Sequence, residues 1–491
     1  MLRPWTLPLK DRVGIAPDTP RYMQIAHGLI HEIERGRLLP GEYLPSSRDL
    51  AAALEVNRKT IVTAYDELMA QGWLVSAGTR GTMVSTSLPR AEERYDDAPA
   101  PGVRAASDET EFPFLAAPDR PIAIPAGRWR KLDEGVPDPR LLPADLLPRA
   151  YRKAAEACAQ EGSLSYRDPR GAPALRRAVA DMLRRQRGLM VSADHVCITR
   201  GSQMGVFLTA RILIRPGDCV LVERLTHEPA VAAFRACGAK IVTVGLDEDG
   251  IDVSDVERAC RRHRVRAIFV TPHHQFPTTV AMRPERRLRL LELARQFAFA
   301  VIEDDYDHEY HFGAQPLLPM ASYAPARIIY TGSMSKLLVP ALRIGYVVAA
   351  PRLIQALAYQ VSLIDGMGNS ITEAVAAHLL ESGEVRRHIR KTAPIYRARR
   401  DAFAHSLDAA LGDWIDYRVP DGGLAFWLRF RDPAMLDRIE AGATDRGLSF
   451  ADSHSYAVEE TAERGLRLGF ASMDEAEARE VLMTLRACAM A

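Results

Sequence analysis

Lys336 stands in TGSMSKLLVPALRIGY behind an apolar run, with Ser333 three residues before it and Arg343 seven after. A lysine amine at the end of a buried strand can condense with an aldehyde, and a nearby serine and arginine can hold a phosphate. Judged alone, it could equally be a surface lysine. A second cluster, Glu303, Asp304, Asp305 and Asp307, closes the apolar run of AVIEDDYDHEY. Carboxylates at the end of a buried strand need a cationic partner, because desolvating them unpaired is costly. A metal ion would serve, and so would a protonated pyridine nitrogen facing Asp304, with Tyr306 donating to a neighbouring phenolic oxygen. Gly201-Ser202-Gln203 lies between a strand-like and a helix-like segment, where backbone N–H groups form an anion site. An amine, an acid for a pyridine nitrogen, an anion pocket and a phenolic-oxygen donor are together what pyridoxal 5'-phosphate requires.

These residues need elements to carry them. Segments 196–199, 219–223, 240–244, 267–271, 300–304 and 328–331 are short and apolar, and amphipathic helical patterns at 203–214, 253–262 and 286–297 separate several of them. Such alternation predicts an α/β domain with a mainly parallel sheet. After about residue 370 the pattern shifts to long helices with strands at 424–430 and 466–470, a smaller α+β unit.

The first 86 residues read differently. Thr19-Pro20 has the form of a helix start, a Thr cap with Pro at the first helical position, and Tyr22, Ile25, Ala26, Leu29, Ile30 and Ile33 follow helical spacing up to Gly36. Ser46 with Asp49 caps a short second helix. Asn57 caps a third, whose inner face is Ile61, Ala64, Tyr65, Leu68 and Met69 and which opens on Arg58-Lys59-Thr60. Recognition helices present their first residues to base edges in the major groove, so a cationic and hydroxyl-bearing start suits double-stranded DNA. Segments 73–75 and 82–84 around AGTRG predict a two-stranded wing, with Arg80 at its tip able to reach the backbone or the minor groove. Taken alone, the helices are equally compatible with any small helical domain.

The run LPSSRDLAAALEVNRKTIVTAYDELMAQGWL closely resembles the winged helix-turn-helix of GntR-type regulators, over residues 19–86. The resemblance implies DNA contacts from Arg48, Arg58, Lys59 and Thr60, with Gly81 as the wing glycine. Residues 129–491 resemble fold-type I aminotransferases. That resemblance implies Lys336 as the Schiff-base lysine, Asp304 as the pyridine partner and Tyr306 as the phenolic-oxygen partner. It sets Ser202, Gln203, Ser333 and Arg343 around the phosphate. Tyr166, in LSYRDPRG, would reach a neighbouring subunit's phosphate, which implies a homodimer, and Arg467, in GLRLGFAS, would clamp a ligand carboxylate. The order of the parts, with VTPHHQFPTTVAM and IEDDYDHEY, is similar to the MocR subfamily of GntR regulators. Three residues depart from the family wording. His227 stands for a tyrosine that stacks on the cofactor ring, Thr279 for a glycine, and Met334 for an aromatic residue. An imidazole at 227 can stack but titrates near neutrality, so the cofactor's spectrum is expected to vary with pH.

The domains expected are a winged helix at 15–86, a Pro- and Ala-rich linker at 87–128, and an aminotransferase-like part at 129–491. The last divides into a large part, about 165–365, and a small part made of 366–491 with 129–164. Net charge is +1 over 491 residues, so DNA binding has to come from a local cluster. Six scattered cysteines without a CxxC pair argue against a zinc site and a disulfide framework and fit a reducing cytoplasm. The run MLRPWTLPLKDRVG has no apolar core long enough for a signal peptide, and no uncharged apolar run is long enough to span a bilayer. The expectation is a cytoplasmic regulator that responds to pyridoxal phosphate or a small amino compound at a promoter, as a homodimer with cis or domain-swapped heads. A working aminotransferase with an accessory DNA-binding domain is the alternative, and a cofactor-free dimerisation scaffold a third reading.

Overall fold

The computed structural model describes residues 9, 10, 13, 19–88, 113, 130–132, 135–162, 164–313, 318–459 and 463–491. The chain divides near residue 122 into two compact units. The linker expected at 87–128 lies outside the described residues except for Ser87, Leu88 and Pro113.

The first unit consists of α1 (Arg21–Glu34), α2 (Ser47–Leu54), α3 (Arg58–Ala70) and a hairpin of β1 (Leu74–Ser76) and β2 (Thr82–Val84). Ile25, Leu29, Leu50, Leu54, Ile61 and Leu68 meet in one buried cluster, with Leu74 and Val84 closing it from the hairpin. The start of α1 differs from expectation. Pro20, not Thr19, is the capping residue, and no described side chain caps the helix. The Thr19 carbonyl instead accepts from Gln24 Nε2 at 2.7 Å. Asn57 Oδ1 accepts from Lys59 N at 2.8 Å, and Ser46 Oγ from Asp49 N at 3.3 Å, so both later helices start where their caps predict. Between them Glu55 turns the chain in the left-handed region at φ 54°.

The second unit is built on a seven-stranded sheet. Its strands are β3 (Val196–Thr199), β4 (Cys219–Glu223), β5 (Lys240–Val244), β6 (Val265–Val270), β7 (Ala300–Asp305), β8 (Ile328–Ser333) and β9 (Gly345–Val348), in the order β3-β9-β8-β7-β6-β4-β5. Six run parallel, and β9 pairs antiparallel with β8 on one side and β3 on the other. Strand β9 adds to those expected from sequence, being a four-residue apolar run with no alternation to separate it from loop. The strands are buried throughout in β3, β4 and β8, as a sheet covered by helices on both faces requires.

A three-stranded antiparallel sheet, β10 (Ile415–Tyr417), β11 (Ala425–Phe430) and β12 (Leu466–Gly469), carries the smaller core with Leu407, Ile439 and Leu485. The division between the parts differs from the one drawn from sequence. Leu146, Ala150 and Ala154, on one face of the helix Leu146–Gln160, bury with Val375 and Leu379 in the core of the large sheet. Leu132 joins the small core. The helix Glu384–Leu411 reaches from one core, through Val385, to the other, through Tyr396 and Phe403. No helix among the described residues is long and apolar enough to cross a membrane.

Candidate cofactor site and DNA-facing surface

Parallel strands leave their carboxyl ends along one edge of the sheet, and that edge is where α/β proteins bind ligands. The sequence motifs converge there. Asp304 is the fifth residue of β7, Ser333 ends β8, and Lys336 sits in the turn that follows. Ser202 and Gln203 open the helix Ser202–Leu213 directly after β3, and His227 precedes the helix Glu228–Ala236 after β4. Asp304, Tyr306, Lys336, Ser333, Arg343 and His227 line a cavity of about 410 Å³, together with Ser202 and Gln203.

Glycine shapes the anion end of this cavity. Gly201 caps the helix Ser202–Leu213 at φ 81°, and a Cβ there would press on the Arg343 guanidinium at 3.2 Å. A Cβ on Gly345 would overlap the backbone of Gly201 and Ser202, so only glycine lets β9 lie against the start of that helix. Arg343 Nη2 donates to the Arg200 carbonyl at 3.0 Å, and Ser333 Oγ accepts from Ser335 N at 3.0 Å. Gln203 Nε2 donates to the Pro229 carbonyl at 2.7 Å, and its buried Oε1 has no hydrogen-bond partner among the described residues.

At the other end Asp304 is 6% exposed and accepts from Thr331 Oγ1 at 2.8 Å. Burial pushes its carboxyl up to about 7, against the Thr331 hydrogen bond, and the charges of Asp305 and Asp307 push the same way. A protonated pyridine nitrogen beside it would favour its charged form, so the donor set fits pyridoxal phosphate: a buried acid at one end, N–H groups and an arginine at the other, and an amine between. The Tyr306 hydroxyl donates to the His274 carbonyl at 3.0 Å and accepts from Arg467 Nη2 at 3.3 Å.

An aromatic wall closes the cavity, and most of it is not legible in the sequence. His227 packs edge-on to Phe276 at 5.1 Å, and Phe276 meets Tyr306 at 6.1 Å and Tyr456 at 5.8 Å. Phe276 lies after β6 and Tyr456 in the turn Ser453–Tyr456, so no spacing in the sequence links them.

Two predicted residues are not part of the cavity lining. Tyr166 is 92% exposed. Arg467, on β12, is 1% exposed, lies 4.7 Å over the Phe276 ring and donates to the Pro277 carbonyl at 2.7 Å. Of the departures from family wording, Met334 is fully buried in the large core. Thr279 holds φ 64°, a conformation that costs a β-branched residue of order 1–3 kcal/mol. Thr279→Gly is therefore expected to raise stability by about 1 kcal/mol, net of the extra chain entropy glycine brings to the unfolded state. An unchanged or lower denaturation midpoint would show that side-chain contacts of Thr279 outweigh the strain.

In the first unit Arg58 and Lys59 are exposed at the first turn of α3, and Arg58 Nε reaches Ser47 Oγ of α2 at 3.3 Å. Thr60 is half-buried, Arg48 is exposed on α2, and Arg80 and Gly81 are exposed at the hairpin tip, Gly81 with φ 105°. Exposed cations thus stand at the start of a recognition helix and at a wing tip, as a DNA reader requires.

Fold and sites together define a pyridoxal-phosphate-binding domain of aminotransferase type in one chain with a winged-helix DNA reader. Residues 128–485 match the family model for aminotransferase class I and II, and residues 21–84 that for bacterial regulatory proteins of the gntR family. The probable rhizopine catabolism regulatory protein MocR of Rhizobium meliloti is 30% identical over 96% of this chain and 94% of its own. The HTH-type pyridoxine biosynthesis transcriptional regulator PdxR of Corynebacterium glutamicum is 31% identical over 96% of each. Among solved structures, the kynurenine aminotransferase of Pyrococcus horikoshii aligns with a TM-score of 0.68 at 27% identity, covering 74% of this chain and 91% of that one. The chain belongs to the MocR subfamily of GntR-type transcriptional regulators.

Proposed function

We propose that this DNA-binding regulator senses pyridoxal phosphate, or an amino compound that reacts with it, through Lys336. The carrying observation is that Lys336 and the buried Asp304 line one cavity in a chain that also bears a winged helix. When bound, pyridoxal phosphate supplies an aldehyde that condenses with amines and a ring that accepts electron density.

The chain's own residues would each take one part. Lys336 would hold the cofactor through its amine, Asp304 would keep a proton on the ring nitrogen, and the Tyr306 hydroxyl would serve the phenolic oxygen. Backbone N–H groups at Ser202 and Gln203, with Ser333 and Arg343, would bind the phosphate. His227, edge-braced by Phe276, would pack against the ring. Arg467 would take a ligand carboxylate through N–H groups that its bonds to the Pro277 carbonyl and the Tyr306 hydroxyl leave over. Tyr166, exposed on its own chain, suits a contact with a second copy and its phosphate, which supports the reading of a homodimer with cis or swapped heads. Regulation requires that the ligand bind the DNA-competent and DNA-incompetent forms with different affinity.

The test is gel mobility of DNA from upstream of the protein's own gene, with and without pyridoxal phosphate, for the wild type and Lys336→Ala. Expected is specific binding that the cofactor changes in the wild type and leaves unchanged in the variant. An identical cofactor response in both removes the lysine from the sensing step. Absence of specific binding favours the aminotransferase reading, which a half-reaction with amino acids then examines.

A further inference from the structure

Behind the cofactor edge, on the opposite face of β7 from Asp304, three buried side chains meet that the regulatory reading does not use. We propose that His273, Asp305 and His308 form a binding site for a divalent transition-metal ion of the zinc or cobalt kind. Their ligand atoms all lie within 4.8 Å of one another. His308 Nδ1 is 3.1 Å from Asp305 Oδ2, and the rings of His273 and His308 have centroids 4.4 Å apart. Tetrahedral coordination at bond lengths of about 2.0–2.1 Å sets neighbouring ligand atoms roughly 3.3 Å apart. One edge is therefore already at that spacing.

Two further observations point to a ligand. His273 is 4% exposed, yet neither of its ring nitrogens has a hydrogen-bond partner among the described residues, and Asp305 Oδ1 is likewise buried and unpartnered there. Buried polar atoms of this kind are costly unless something satisfies them. Arg187 pairs with Glu309 as well as Asp305, and the buried Arg287 guanidinium acts on Asp305 and His273 too. Asp305 is further held by the Tyr330 hydroxyl, which donates to its Oδ2 at 2.5 Å and fixes its plane. Two imidazoles and a carboxylate select zinc, cobalt, nickel or iron over magnesium and calcium, which prefer all-oxygen sets. Because Asp305 adjoins Asp304 in the chain, an ion here would brace the strand end that holds the cofactor.

The experiment uses the full-length, untagged holoprotein, stripped with a chelator and titrated with Co²⁺ while visible ligand-field bands and bound metal are recorded. Expected is one Co²⁺ per chain with ligand-field bands, displaced by Zn²⁺, and a higher unfolding temperature. His273→Asn and His308→Ser should each weaken binding by more than the ~100-fold that loss of an outer supporting partner costs. An intact cofactor spectrum in each variant reports that it is folded, and either one alone suffices. Failure of the wild type to bind Co²⁺ overturns the proposal. So does equal affinity in the variants, which would place the ion on the cofactor phosphate or on surface carboxylates.

Discussion

Replacing Asp304 by Asn is expected to move two measurements in opposite directions. Cofactor affinity should fall by at least about 100-fold, because a neutral amide cannot hold the proton on a pyridine nitrogen and the paired buried charge is lost. Stability of the cofactor-free protein should instead rise at neutral pH. Burial pushes the Asp304 carboxyl from 3.8 up to about 7, so between those values the folded chain keeps a proton that the unfolded chain has released. The folded state then binds more protons, and stability falls as pH increases through that window. A shift of about three units at ~1.4 kcal/mol each sets an upper bound near 4 kcal/mol above pH 7. Glu223 and Glu303, pushed by burial up to about 8 and about 7, contribute with the same sign and remain in the variant. The difference between wild type and Asp304→Asn therefore isolates one residue. Thermal unfolding of both apo-proteins from pH 4 to 8, with cofactor titration at pH 8, checks the pair of outcomes. Parallel pH curves with equal cofactor affinity would remove Asp304 from the site.

The double variant Arg58→Ala, Lys59→Ala should lose about 2–4 kcal/mol of specific DNA affinity, a factor of roughly 30 to 1,000. Both side chains are exposed, and the cap from Asn57 to Lys59 N uses only the backbone of residue 59, so folding of the winged helix should be unaffected. Where these cations neutralise DNA phosphates, removing them should flatten the slope of log affinity against log salt by about 0.9 per phosphate. Arg80→Ala at the wing tip provides the contrast: a flatter slope with discrimination between sequences largely retained. Anisotropy titrations at several salt concentrations, on the specific fragment and on unrelated DNA, separate the two effects. If the double variant binds both DNAs as the wild type does, α3 does not enter the groove by its first turn.

Motifs whose chemistry is local are legible in the sequence. Asn57 and Ser46 cap the helices they predict, because a side chain and the N–H it accepts from are only a few residues apart. Lys336, Asp304 and Gly201 can be placed at strand ends because the strands are short, apolar and bounded. Thr19 misleads because a helix start has two local solutions, and here Pro20 takes the cap position without any side-chain bond. Strand β9 escapes sequence reading because its four buried residues carry no period. Its place beside β3 depends on Gly345 meeting Gly201, more than a hundred residues away.

By itself the sequence determined the two-part plan and the winged helix and offered candidate residues for a phosphorylated pyridine, since capping, periodicity and charge act over a turn or two of chain. Tertiary structure alone decided the rest. It set Phe276 and Tyr456 in one wall with His227, tied Arg467 to Pro277, and returned the helix Leu146–Gln160 to the large core. It also brought His273 onto His308 behind the sheet. These contacts join distant segments through burial of apolar surface, a force without direction along the chain, so no local pattern records which partner each side chain will meet.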